Sequence, residues 1–167
     1  MSEMVKKHRI GLFVDKTPSS SATWKRIKKS TELTISMNPE TEEYDYIADE
    51  NPTTELKNYK PEIEQPLKMI KGEDDFDYFW DMFYDMATGQ DCKTHALVVF
   101  MFDSTEVSTV PYYKAWKVDC SVVMNEMNAV DSELNFNINF AGDVAKGYAT
   151  VTDGVPTWVA TLPTVSE

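Results

Sequence analysis

The 167 residues suit one domain able to bury roughly 70% of its unfolded surface, and a hydrophobic content of 42% excludes a disordered chain. No apolar run approaches the ~20 residues of a membrane-spanning helix, and two cysteines, Cys92 and Cys120, are too few for a disulfide framework or a zinc site. The formal charge of −12 is divided: residues 1–29 carry eight Lys/Arg against Glu3 and Asp15 (+6), and the remainder eight against 26 Asp/Glu (−18). Such a body repels phosphates, which argues against tight nucleic-acid binding; the basic end reads either as a solvated end or as one attracted to the acidic body of another copy.

Met1 to Arg9 is polar and basic with no apolar core behind it, unlike a secretory signal, and the two cysteines read as reduced, packed thiols. Short strands are predicted over Arg9–Asp15 and Thr23–Lys28, separated by a turn-rich loop at Lys16–Ser21. From Thr31 alternation is clean: Leu33, Ile35 and Met37 face one way, and Glu32, Thr34, Ser36 and Asn38 the other. After a turn at Asn38-Pro39, Thr41–Ala48 reads as a strand with Tyr44 and Tyr46 on one face. Thr53–Met69 is extended but interrupted by Pro61 and Pro66, which predicts an edge-like or partly looped excursion, either reaching a neighbouring molecule or standing as an exposed hairpin that touches nothing.

Residues 73–88 carry the one convincing helical pattern, an aromatic stripe of Phe76, Phe79, Trp80, Phe83, Met86 and Ala87. Acidic residues fill its first turn, and Thr88-Gly89 supplies the expected stop. Asp77, Asp81 and Asp85 lie four apart and read as a solvated face, since no further ligands converge on them. Thr94–Asp103 is apolar on both faces and therefore calls for cover on both, by the helix on one side and an opposing sheet on the other. His95 then reads as a packed or edge histidine.

Ser104–Pro111 reads as a loop, and Tyr112–Met124 as a strand with Trp116, Val118, Cys120, Val122 and Met124 inward and Lys117, Asp119 and Ser121 outward. Asn125–Asp131 turns the chain. Glu133–Phe140 alternates fully: Leu134, Phe136, Ile138 and Phe140 on one face, Glu133, Asn135, Asn137 and Asn139 on the other. Asparagine is depleted in strands, so three in one row point either to a half-solvated strand or to the wall of an aqueous passage. Gly142-Asp143 and Lys146-Gly147 bracket a bend, Tyr148–Thr152 and Thr157–Ala160 read as strands joined at Asp153-Gly154, and Thr161–Glu167 as an arm.

No phosphate loop, nucleophile elbow or metalloprotease helix is present, and no carboxylate sits in an apolar run that would raise its pKa as a glycosidase acid requires. The pattern predicts a non-enzymatic protein without cofactor or metal. Tyr44, Tyr46, Tyr59, Tyr112 and Tyr113 would serve a carbohydrate-binding β-sandwich equally well as interface or core positions.

Three segments together resemble the tail tube (major tail) protein of long-tailed bacteriophages infecting Gram-positive bacteria. The first runs from Ser36-Met37-Asn38-Pro39-Glu40-Thr41 through Tyr46-Ile47-Ala48-Asp49-Glu50-Asn51-Pro52 to Tyr59-Lys60-Pro61. The second is Phe76-Asp77-Tyr78-Phe79 with Ala87-Thr88-Gly89, and the third Asn135-Phe136-Asn137-Ile138-Asn139-Phe140-Ala141-Gly142-Asp143-Val144 with Lys146-Gly147. The resemblance spans most of residues 24–152 and rests on overall pattern. It implies a mainly β fold, an antiparallel β-sandwich or barrel with one flanking α-helix, divided as an arm (1–22), a tail-tube domain (23–152) and a C-terminal arm (153–167). It implies stacked, hexameric rings in a virion tail, assembled in the host cytoplasm, around a tape measure protein and later double-stranded DNA that passes without specific binding. Tail terminator and distal tail or baseplate proteins would be further partners, and no membrane is involved.

On that resemblance Glu32, Thr34, Ser36, Lys117, Asp119, Ser121, Glu133, Asn135, Asn137 and Asn139 become lumen candidates. Lys6, Lys7, Arg9, Tyr46, Asp49, Glu50, Asn51, Pro52, Leu56 and Tyr59 become inter-subunit candidates. The inner tube of a phage-tail-like bacteriocin or contractile injection system would share fold and ring.

Overall fold

A computed structural model describes residues 2–17 and 21–165. The expected turn at Lys16–Ser21 and the end of the tail therefore lie partly outside the described residues. The strands are β1 (Ile10–Asp15), β2 (Trp24–Arg26), β3 (Thr34–Ser36), β4 (Pro39–Tyr44), β5 (Thr53–Tyr59), β6 (Glu62–Lys68), β7 (Lys93–Val107), β8 (Val110–Asn128), β9 (Glu133–Phe140), β10 (Ala145–Thr152) and β11 (Val155–Val159), with one helix, α1 (Asp74–Tyr84). Nine strands form one antiparallel sheet in the order β2-β1-β7-β8-β9-β6-β3. The 19-residue β8 pairs with β10 along its first half and β9 along its second, and β11 extends from β10. The sheet is open, not a closed barrel. β4 and β5 form a separate two-stranded ribbon.

Two apolar clusters occupy opposite faces of the central strands. Leu12, Val14, Ala96, Val98, Val118, Val122, Leu134, Phe136 and Ile138 join Ile63 and Leu67 beneath α1, whose Phe79 stacks on Phe136 at 4.2 Å between ring centroids. On the reverse face β10 and β11 bring Ala149, Val151 and Trp158 against Phe13, Leu97 and Val99. β7 is thus buried on both faces, as its unbroken apolar run requires. Gly147 lies within β10 and not at a bend, and it is needed there for close packing, since a Cβ would come within 2.6 Å of Trp158. β1, expected within an arm, lies inside the sheet between β2 and β7.

Other local expectations shift for identifiable reasons. β6 is an interior strand despite Pro66. The Pro66 carbonyl accepts from Thr31 N–H, and Lys68 N–H donates to the Lys29 carbonyl, so this side of β6 faces the segment entering β3. The N–H that proline lacks would point the same way, beyond the three-residue β3 ladder, and no bond to β9 is lost. Strand β3 is shorter than its alternation suggests: Ile35 packs into the core while Leu33 and Met37 remain exposed. The loop expected at Ser104–Pro111 is a tight hairpin turned by Ser108 and Thr109, both at positive φ. The Asp153-Gly154 hairpin forms as expected.

The helix stops earlier than its glycine suggests. Met86, at φ 49°, is the left-handed residue after the last turn, with Met86 N–H bonded to Phe83 O and Ala87 N–H to Met82 O, the Schellman pattern. An L-residue in this conformation costs about 1–2 kcal/mol, and glycine avoids most of it. Met86 is largely exposed and packs against nothing that would be lost. Met86→Gly should therefore raise stability by roughly 0.5–1 kcal/mol, read from the urea midpoint at unchanged m-value.

Cys120 is buried in the core, and burial beside Asp119 pushes its thiol up to about 12. In the unfolded chain a thiol titrates near ~8.5, so above that pH the unfolded state releases a proton that the folded state keeps. Stability should fall as pH rises from ~8.5 toward 12, and Cys120→Val should flatten that fall. At pH 8 a thiol reagent should label one cysteine per native chain, the half-exposed Cys92, and two in denaturant.

Candidate functional site

The strand register assembles one polar face across the half of the sheet that β10 and β11 leave uncovered. Thr34 and Ser36 lie opposite Glu64 and Glu62. Those two lie opposite Asn137 and Asn139, which in turn face Val123 and Ser121. Directly paired residues of antiparallel strands project to the same side. The residues between them, Ile35, Ile63, Ile138 and Val122, all enter the core beneath α1. The same parity carries the face along β8 through Asp119 and Lys117 and onto β7 at Lys93 and His95. Glu133 pairs with Lys68 and Asn128 at the other end. Five strands at ~4.8 Å spacing make the face about 20 Å wide.

All ten sequence-derived lumen candidates belong to this face or its rim. Glu32 lies outside β3 but accepts a hydrogen bond from Thr34 Oγ1 at 2.9 Å, which holds it beside the face. Reasoning from sequence missed Glu62, Glu64 and Lys68, hidden in the proline-broken stretch, and Val123, Asn125, Glu126 and Asn128. Val123 continues the parity of Lys117, Asp119 and Ser121 and is apolar; beyond it a register shift between Met124 and Glu126 inserts an extra residue and breaks the alternation.

The face is acidic and amide-rich; of its lysines Lys68 is paired, while Lys93 and Lys117 have no carboxylate within 4.0 Å among the described residues. Lys68 Nζ lies 3.0 Å from Glu133, and His95 Nδ1 2.6 Å from Asp119 Oδ1. Asn125 Nδ2 donates to Asn137 Oδ1 at 3.0 Å, and Asn135 Nδ2 to Glu126 Oε1 at 2.9 Å. Among the described residues Glu62 and Glu64 have no cationic partner within 4.0 Å. Asn125 and Asn135 thus brace β8 against β9, whereas Asn139 Oδ1 is buried without a hydrogen-bond partner among the described residues.

The inter-subunit candidates fall into two places. Tyr46, Asp49, Glu50, Asn51, Pro52, Leu56 and Tyr59 are all exposed on the β4–β5 ribbon. Lys6, Lys7 and Arg9 lie in the exposed N-terminal segment, whose Lys6 and Arg9 border Phe102. The stretch Thr53–Met69 is therefore not a single excursion, since its second part is the interior β6. The basic end is partly matched within the chain: Lys16 and Lys25 each lie 3.3 Å from Asp74, whose carboxyl they hold below the usual range. Asp77, Asp81 and Asp85 are exposed. Of the tyrosines suited to sugar stacking, Tyr113 packs into the reverse-face cluster and shares no platform with its neighbour Tyr112.

No helix among the described residues is long and apolar enough to cross a membrane. No family model matches the sequence, and no curated protein matches it. Among solved structures, the chain is similar to one in the six-fold symmetrised cryo-EM structure of the anti-feeding prophage (AFP) baseplate, covering 87% of this chain and 97% of that one. Identity is 8% and the TM-score 0.46, a likeness too distant to assign a role.

Proposed function

We propose that the chain is a structural subunit that closes with copies of itself into a tail-like tube, its polar face lining the bore. The observation that carries this reading is the continuity of that face over β3, β6, β9 and β8, backed by the core and left uncovered by the chain's own β10–β11 hairpin. An open sheet with a free three-residue edge strand gains by joining edge to edge with another copy, which also removes unpaired backbone groups. The sequence resemblance to tail tube proteins points to the same assembly, with a tape measure protein and then double-stranded DNA as contents. Glu62, Glu64 and the amides make a wetted wall that repels phosphate, so a polyanion passes without sticking.

Negative-stain microscopy of the concentrated protein should show tubes or rings, and a strictly monomeric species would overturn the reading. Asn137→Lys tests the direction of the face. As a half-exposed surface change it should alter stability by no more than about 0.5 kcal/mol, while slowing DNA release from particles that carry it. Normal release, or a polymer with Asn135, Asn137 and Asn139 on its exterior, would remove the face from the bore.

A further inference from the structure

Two surfaces of this chain have complementary chemistry that the folded monomer leaves unused. The first is the tip of the β4–β5 ribbon. Its six paired positions carry it about 20 Å from the sheet, and a two-stranded ribbon with no core beneath it is marginal in water on its own. Ile47 is fully exposed at the tip, beside Tyr44 and Tyr46, whose rings stack at 5.7 Å. Asp45, Asp49 and Glu50 surround them, exposed and without a cationic partner among the described residues, whereas Glu40 and Glu42 lower on the ribbon pair with Lys60 and Lys57. The tip is an apolar knob with an anionic collar.

The second surface is a cleft of about 470 Å³ between β7, β8 and β10. A register shift between Phe100 and Ser104 leaves Met101, Phe102 and Asp103 without partners on β8 and opens the cleft. Phe100 meets Phe102 and Trp116 edge-on, at 6.1 and 5.2 Å between centroids, which makes an aromatic floor with Phe102 half exposed. Lys114 and Lys146 stand at the rim. Lys114 lies 3.2 Å from Asp103, while Lys146 has no carboxylate partner among the described residues. Arg9 and Lys6 border Phe102 on its other side. The cleft is an apolar socket with a cationic collar.

We propose that the ribbon tip of one copy docks in this cleft of a second copy, Ile47 and Tyr46 against Phe102 and Trp116, with Asp45, Asp49 and Glu50 opposite Lys146, Lys114 and Arg9. The inference rests on the self-assembly reading above and adds which surface receives the ribbon. The contact joins unlike surfaces, so it repeats from copy to copy and ends only in a closed ring or an open filament. Apolar burial supplies the affinity, and the opposed collars set orientation and encounter rate.

The test is cross-linking between two preparations, each carrying Cys92→Ser, one with Ile47→Cys and the other with Phe102→Cys. With a short bismaleimide, a species of twice the chain mass should form in the mixture and in neither preparation alone. In otherwise unaltered protein, Ile47→Asp should raise the concentration needed for assembly about tenfold or more, as loss of an anchor from a desolvated socket does. Lys114→Glu with Lys146→Glu should weaken assembly, and Asp45→Lys with Asp49→Lys in the same chain should restore it. Normal assembly without the cross-link, or, in a third preparation carrying Ile47→Cys and Phe102→Cys in the same chain, cross-linking within one dilute chain, would overturn the docking and leave the self-assembly reading standing. Absence of any assembly at high concentration would overturn both.

Discussion

Phe79→Ala is expected to cost about 3–5 kcal/mol, a large share of the stability of a domain this size. α1 has eleven residues, too few to be stable alone in water, so it exists because its inner face is held. That face is narrow: Asp75, Phe79 and Met82 are its buried residues. Phe79 is fully buried, stacks on Phe136 of β9 and meets Tyr78 edge-on at 5.2 Å. Removing the ring leaves a void between helix and sheet that the flanking β-strands cannot collapse to fill. The urea midpoint should drop accordingly, with loss of helical ellipticity preceding loss of strand signal. Trp80→Ala is the control, because Trp80 is on the exposed side and stacks only on Phe76, Phe83 and Tyr84 of its own helix segment. It should cost no more than about 1 kcal/mol. Equal losses from the two changes would mean that the helix is not anchored through Phe79.

The contrast between these aromatics shows how far the sequence could be read. A stripe at three- and four-residue spacing announces a helix and its approximate face, yet Phe76, Phe79, Trp80 and Phe83 cover too wide an arc to reveal which residue lies at its centre. Met82 and Asp75 complete the buried line in the structure. Strict alternation carried more information. In β9 each second residue is core, so Asn135, Asn137 and Asn139 had to share a side, and the same parity held for Thr34 and Ser36 and for Lys117, Asp119 and Ser121. Alternation fails where the backbone departs from it, at the Met124/Glu126 shift and at the Phe100/Ser104 shift that opens the aromatic cleft. Proline misled for a different reason: Pro66 marks a missing donor, but only the placement of neighbouring strands decides whether a donor was needed. Turn chemistry was legible at Asp153-Gly154, where the residues suit positive φ, and illegible at Ser108-Thr109, where they do not.

Asp75 was the polar residue least visible in advance, one acid among several in a first turn, and its replacement should be nearly as damaging as that of Phe79. Its carboxylate is buried, and Oδ2 accepts from the backbone N–H groups of Lys28 (3.1 Å) and Lys29 (3.2 Å) while Oδ1 accepts from Phe76 N–H (2.8 Å). Two of these donors belong to the segment between β2 and β3, so one side chain ties that crossing to the helix. The third is a free N–H of the first helical turn, where a negative charge is also favoured by the helix dipole. Asp75→Ala deprives all three donors of their acceptor at once, and a buried donor left unpaired costs about 1–3 kcal/mol. A total loss of about 2–4 kcal/mol is expected, since the crossing can relax toward solvent and recover part of it. Asp75→Asn keeps one acceptor but turns an amide donor toward N–H groups, so it should fall between Ala and the native residue. Hydrogen exchange gives the sharper readout: the Lys28 and Lys29 amides should lose protection in Asp75→Ala under conditions where Val98 and Ile138 in the core keep theirs. Retained protection at Lys28 and Lys29 would mean that the crossing is held by the Pro66–Thr31 and Lys68–Lys29 backbone bonds alone, and the shape of the β3 edge would then not depend on the helix.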